Sequence, residues 1–344
     1  MTAKPLLLPE PPEIPGISFH NYQSEKDLEN ILLVCNRLYE LGIHEGGLEL
    51  DELKNDYAHL NNCDLARDFL SVSYHNQPAG YIRRYWENLI AEETRVHINI
   101  LWMLPEWMDS PVGDYLISWV EARASQTSAD LPPLTGGNRI EFLAPETDKA
   151  KLKLLERHGY RPLRYYFDMS RSLEGELPDH PLPPGLEVRP ALSSQLRQIW
   201  DASIEAFKDE SGSTELTDEN YAQFLNDKTN HPELWQVAWE GDQIAGMVMN
   251  YINLAQNEQE RRFRGYTEGI SVRRPWRGRG LASALICRSM RMFKALNMTE
   301  VALSVDAENP SGALGLYTRL GYQTYLTKIN YAKFARGIMK SADF

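Results

Sequence analysis

The chain has 344 residues, of which 42% are hydrophobic, 24% charged and 10% aromatic, the composition of an ordinary globular protein long enough for two domains. Its formal net charge of −12 argues against nucleic acid or an anionic membrane as the main partner, since both require a basic footprint. Three cysteines, none in a Cys-x-x-Cys pair, predict neither a disulfide framework nor a metal site and point to a reducing, cytoplasmic setting.

The first fifteen residues carry five prolines around three leucines, too short an apolar run for a signal peptide, and read as an extended lead-in. No window approaches the roughly 18 apolar residues of a membrane helix. From Pro15 onward the chain repeats itself. "PGISFHNY" at Pro15 returns as "PGLEVRPA" at Pro184, and "QPAGYIRRY" around Gly80 returns as "QIAGMVMNY" around Gly246. The segment around Trp107 returns around Trp276, and "LLERHGYRPLRYY" around Gly159 returns as "LYTRLGYQTYLTK" around Gly321. Four landmarks in one order, at offsets of 162 to 169 residues, predict a tandem duplication. Pro178, Pro181, Pro183 and Pro184 interrupt both helix and strand, which places a linker at 178–185 between domains at 16–177 and 186–344.

In the second half, "LEVRPA" from Leu186 alternates as a strand. Leu196, Ile199, Trp200, Ile204 and Phe207 follow at helical spacing behind a serine cap, and Thr217 caps a second helix. The run from Trp235 to Asn253 reads as two strands joined at Glu240-Gly241-Asp242, a hairpin signal. A strand from Gly265, a helix from Leu281, a strand from Glu300 and a helix with Pro310 in its first turn come next, and closing strands lie between Tyr322 and Phe334. Strands alternating with helices predict an α/β class, in which the strand from Gly265, the helix and the strand from Glu300 form one βαβ unit.

The densest signal is Val272-Arg-Arg-Pro-Trp276-Arg277-Gly278-Arg279-Gly280-Leu281-Ala282, between a strand and a helix. Glycines allow a tight turn and close ligand approach, and the helix start offers unpaired N–H groups and a positive dipole end. Together they make an anion cradle suited to phosphate, with Arg277 and Arg279 adding charge at its rim. The Gly-Lys-Ser/Thr of a Walker loop is absent. A dinucleotide fingerprint lacks its third glycine, because Ser283 stands there, although Asp306 could stand in for the ribose acid.

Arg277, Gly280 and Ala282 match the pattern Gln/Arg-x-x-Gly-x-Gly/Ala, and Asn309, Ala313, Tyr317, Gly321 and Tyr322 match "N…A…LY…GF" downstream. With these two motifs the second half resembles the GNAT superfamily of N-acetyltransferases from about Leu186 to Phe334. Tyr322 in place of phenylalanine is the minor departure. The resemblance implies two tandem GNAT-like domains, each a mixed, mostly antiparallel sheet flanked by helices. It implies acetyl-CoA as co-substrate, with its pyrophosphate on the N–H groups from Gly278 to Ala282. The pantetheine arm would run along Ile270, Ser271 and Val272, and Asn309 would contact it. The acceptor would be a small-molecule or peptide amine that attacks the thioester directly, with Tyr317 facing the sulfur; a helix N-cap and an ordinary amphipathic tyrosine are the structural alternatives for Asn309 and Tyr317.

An amine arrives protonated, so a carboxylate in the cleft is needed to take its proton. Glu268 is the candidate, read in phase with Ile270 and Val272 on one strand face, with Asp306 and Glu308 as alternatives. Cys287, in an apolar helix stretch, reads as core rather than nucleophile. The alternative reading of the whole is a non-catalytic acyl-CoA-binding regulatory protein, against which the intact Tyr317 counts.

The first half lacks the same parts. Aligned on the tryptophans, Arg277, Gly278 and Gly280 become Met108, Asp109 and Pro111, and aligned on Gly159, Tyr317 becomes Leu155. An acid and an N–H-less proline at the cradle predict a degenerate domain that supports the other half or shapes its substrate cleft. This layout is similar to that of the mycothiol synthase family, two-domain GNAT enzymes whose N-terminal half is also degenerate. The similarity is architectural and carries no substrate over.

Overall fold

The computed structural model describes residues 7–208, 217–227, 230–309 and 311–334. Among these residues are twelve strands: β1 Ile17–His20, β2 Phe69–Tyr74, β3 Gln77–Leu89, β4 Thr94–Met103, β5 Asn138–Pro145, β6 Arg161–Ser172, β7 Glu187–Arg189, β8 Gln236–Glu240, β9 Gln243–Tyr251, β10 Arg264–Val272, β11 Glu300–Asp306 and β12 Gln323–Phe334. The chain divides into two compact units. One holds the chain up to Tyr165 together with Lys328 onward, and the other runs Tyr166–Thr327.

In the first unit β1 to β5 lie in sequential order, antiparallel except for the parallel β4–β5 pair, and Lys328–Phe334 of β12 runs antiparallel beside β5. The helix Pro111–Asp130 connects the parallel pair. Its buried Leu116, Ile117 and Val120 recur at helical spacing and pack on Ile82, Leu101 and Phe142. The opposite face is covered by the helices Lys26–Glu40 and Leu50–Ala58 through Leu28, Ile31 and Leu53.

The second unit repeats this topology. Strands β7 to β11 follow in order, antiparallel except for β10–β11, and Tyr166–Ser172 of β6 runs antiparallel beside β11. The helix Leu281–Ala295 connects the parallel pair and buries Leu285, Met290 and Phe293 against Val301 and Leu303. Each such side chain contributes about 1.5–3 kcal/mol on burial. A Cβ on Gly265 would stand 2.4 Å from the Phe293 ring, so this glycine lets the helix sit directly on β10. On the other face Ile199 and Ala202 of the helix Leu196–Phe207 pack on Trp235, Val237 and Met247. Both units are mixed, mostly antiparallel sheets flanked by helices, the α/β class read from the sequence.

The compact units do not coincide with the two halves of the sequence. Each half ends in a strand that completes the other unit's sheet, β6 beside β11 and β12 beside β5. Strand patterning identifies a strand but not its partner, so contiguous domains were the natural expectation. Smaller differences are local. Thr217 caps the helix Asp218–Asn226 as expected, accepting from Asn220 N–H. The serine cap is replaced by a 3₁₀ turn Ser193–Gln195, and the closing strands are one long strand, β12. An unexpected helix Leu254–Gln259 starts at Asn253, whose side chain accepts from Gln256 N–H. Pro310 lies outside the described residues, and the last helix, Ala313–Arg319, begins only after left-handed Gly312.

Candidate functional site

Strands β10 and β11 pair only from Arg264↔Glu300 to Tyr266↔Ala302, although they run on to Val272 and Asp306. Beyond that point they diverge and leave a cleft. A bulge forms in β10 between Glu268 and Ser271, where Gly269 takes a φ of +55°, a left-handed value that favours glycine. The bulge corrects the expected phasing. Glu268 pairs with Met249 and Ser271 with Met247, whereas Ile270 and Val272 pack toward the core beneath the helix Leu281–Ala295. Glu268 therefore lies on the face opposite Ile270 and Val272, because one inserted residue inverts the alternation. Its Oε1 accepts from the backbone N–H of Ser304 at 2.8 Å, spanning the cleft where the ladder has opened.

The glycine turn sits at the mouth of this cleft. Trp276 is buried and donates its indole N–H to Glu240 at 3.0 Å, which anchors the loop. Gly278 and Gly280 take φ values of +72° and +82°, and a Cβ on either would meet nothing within 4 Å, so space opens beyond both. Gly280 is the N-cap of the helix Leu281–Ala295 and supplies no side-chain cap, leaving the first-turn N–H groups directed at that space. Arg277 braces the turn: Nε donates to Val272 O and Nη2 to Ala206 O, both at 2.9 Å.

One cavity of about 760 Å³ joins cleft and turn. Of the residues singled out from the sequence, Glu268, Ile270, Ser271, Val272, Arg277, Gly278, Gly280, Leu281, Ala282, Asn309 and Tyr317 line it. Arg279 does not; its guanidinium donates to Pro184 O at 3.3 Å. Tyr317 is 7% exposed, with its ring edge-on to Tyr322 at 6.1 Å. The Tyr322 hydroxyl bonds Thr267 Oγ1 at 2.8 Å, and burial pushes this phenol's pKa up. Asn309 does not cap the helix; its Oδ1 accepts from the backbone N–H of Ser311 at 2.9 Å and from its hydroxyl at 2.6 Å. Sequence reasoning missed Phe207, Ser304, Arg319 and Tyr166 in the lining. Tyr166 carried no local signal, since it enters through β6 from the other half of the sequence. Cys287 is buried, and burial raises its thiol pKa, as suits a core residue.

The corresponding place in the first unit is closed. Ser110 caps the helix Pro111–Asp130 by accepting from Val112 N–H, and Pro111 has no N–H to offer. Asp109 pairs with Arg157 at 2.6 Å, which sets a carboxylate where the other unit has Gly278. Lys151 occupies the position of Ala313. Its buried ammonium donates to Leu101 O at 3.0 Å and Leu143 O at 2.8 Å, bridging β4 and β5. Burial lowers its pKa to about 8. The cleft between the parallel strands is thus filled by a lysine, a feature the motif comparison did not reveal.

Among the described residues no group of three His, Cys, Asp or Glu is placed to hold a metal ion, and no helix is long and apolar enough to cross a membrane. Residues 196–322 match the model of the acetyltransferase (GNAT) family. The chain is 26% identical over 194 residues to mycothiol acetyltransferase of Pseudarthrobacter chlorophenolicus, covering 55% of this chain and 58% of that protein. It is 33% identical over 91 residues to N-alpha-acetyltransferase MAK3 of Arabidopsis thaliana, covering 26% and 45%. The chain thus matches about half the length of each of these relatives. A GCN5-related N-acetyltransferase from Sphaerobacter thermophilus superposes with a TM-score of 0.67 at 23% identity, over 94% of this chain and 97% of that one. A tandem GNAT protein from the clavulanic acid biosynthesis pathway superposes with a TM-score of 0.66 at 12% identity, over 94% and 100%. These two likenesses concern the fold.

Proposed function

We propose that this chain, whose residues 196–322 form an acetyltransferase domain of the GNAT family, transfers the acetyl group of acetyl-CoA to a primary amine at the cleft between β10 and β11. The observation that carries the reading is the continuity of three features in one cavity: the cleft between β10 and β11, the glycine turn at a helix start, and Tyr317. The turn suits a pyrophosphate, because Gly278 and Gly280 leave space for it and the helix start supplies N–H donors and a favourable dipole. The divergence of β10 and β11 beyond Tyr266 and Ala302 leaves room for an extended arm with amide groups.

In the proposed reaction the amine nitrogen attacks the thioester carbonyl, forming the C–N bond, and the C–S bond then breaks. Glu268 takes the proton that the amine loses, directly or through water, and its bond to Ser304 N–H holds it in the cleft. Tyr317 stabilises the departing thiolate by a hydrogen bond or a proton. No covalent enzyme intermediate is required, and buried Cys287 takes no part. The first unit, with its cradle capped and its cleft filled by Lys151, serves as support and not as a second centre.

The test is release of free CoA thiol from acetyl-CoA in the presence of a panel of primary amines, with the acetylated amine identified by mass. The proposal expects stoichiometric CoA and acetylamine with at least one member. Tight acetyl-CoA binding with no release across the panel would favour the non-catalytic acyl-CoA-binding alternative.

A further inference from the structure

The cavity is chemically divided. Its turn end presents backbone N–H groups and Arg277, whereas the wall formed by β10, β11 and β6 presents two carboxylates, Glu268 and Asp306, together with Tyr166. Glu268 is tied to Ser304, and Asp306 lies two residues further along β11, on the same strand face. Two residues of strand span about 7 Å. Asp306 is held by the backbone N–H of Glu308 at 2.9 Å, so its carboxylate is fixed in place. Directly across the ladder from Asp306 stands Tyr166, the residue that the strand from the other half of the sequence brings in. An aromatic ring beside a carboxylate is an arrangement that attracts an ammonium group, through ring quadrupole and charge together.

We infer that Tyr166 and Asp306 form a second-cation subsite, so that the acceptor is a short aliphatic diamine. One nitrogen is acetylated beside Glu268, and the other is held as an ammonium by Tyr166 and Asp306, two residues along β11 from the Ser304 that Glu268 contacts. This rests on the acetyltransferase reading. It also gives the N-terminal half of the sequence a direct part in acceptor choice, through a single exchanged strand. A monoamine of the same length reaches Glu268 but leaves the second subsite unused, and it is the poorer substrate.

The experiment compares 1,4-diaminobutane with butylamine as acceptors for the full-length protein, reading CoA release, with acetyl-CoA affinity measured in parallel. The expected result is a kcat/KM for the diamine at least tenfold above that for butylamine. In Asp306→Asn and in Tyr166→Leu that ratio falls toward one, and Asp306→Glu restores part of it. A purely structural role would lower both rates together and leave the ratio unchanged, which overturns the subsite. Equal use of both amines by the wild type also overturns it while leaving the acetyltransferase reading intact. Absence of CoA release with every amine overturns both.

Discussion

Transplanting the lysine of the closed cleft into the open one tests where the ligand lies. Lys151 and Ala313 occupy equivalent positions at the heads of equivalent helices. The carbonyls that Lys151 binds, of Leu101 and Leu143, correspond to those of Ile270 and Val305, both of which line the cavity. Ala313→Lys should therefore bridge β10 and β11 as Lys151 bridges β4 and β5. A ligand entering this cleft must break two charge-assisted bonds, each worth about 1.5–3 kcal/mol. That amounts to two to four orders of magnitude in affinity, at about 1.4 kcal/mol per tenfold. The cost of burying an ammonium works the other way. It is visible in the Lys151 pKa, lowered to about 8, and places the expectation at the lower end, a loss of about a hundredfold. Calorimetric titration of the variant with acetyl-CoA measures this, and a thermal melt establishes that it folds. Wild-type affinity in a folded Ala313→Lys protein would refute the assignment of the cleft as the binding site.

Other predictions concern the remaining groups. Tyr317→Phe keeps the ring against Tyr322 but removes the hydroxyl, so turnover falls by on the order of 10²-fold while acetyl-CoA affinity holds; full turnover at saturating substrates would leave the residue as packing. Glu268→Gln keeps an oxygen to accept from Ser304 N–H but cannot take a proton, so the fold persists while turnover drops about 10²- to 10⁴-fold, and an unchanged rate would move the base elsewhere. Lys151 has a folded-state pKa of about 8, below the ordinary 10.5, so between these values the folded state binds fewer protons than the unfolded one. Its contribution to stability therefore rises with pH across that window, by up to about 3 kcal/mol. Denaturant unfolding at pH 8 and pH 10.5 should show this rise in the wild type relative to Lys151→Met; parallel pH profiles would mean that the ammonium titrates normally.

Much of the second unit was legible because its signals are local. Gly278 and Gly280 announce positive φ, the hairpin at Gly241 follows turn chemistry, and the amphipathic helix from Leu281 follows its period. What escaped was non-local or off-period. The bulge at Gly269 moves Glu268 to the other face from Ile270 and Val272, and one glycine in a strand does not declare whether it bulges. Tyr166 reaches the cavity only because β6 pairs with β11, a partnership that no spacing encodes. Lys151 belongs to no motif that the two halves share, and only the divergence of β4 and β5 shows why a charge is buried there.

The central claim is that one cleft per chain, in the second unit, binds acetyl-CoA. Calorimetric titration of acetyl-CoA into the wild-type protein tests it most directly. The account predicts saturation at one molecule per chain; two sites of similar affinity, or no binding at all, would contradict it.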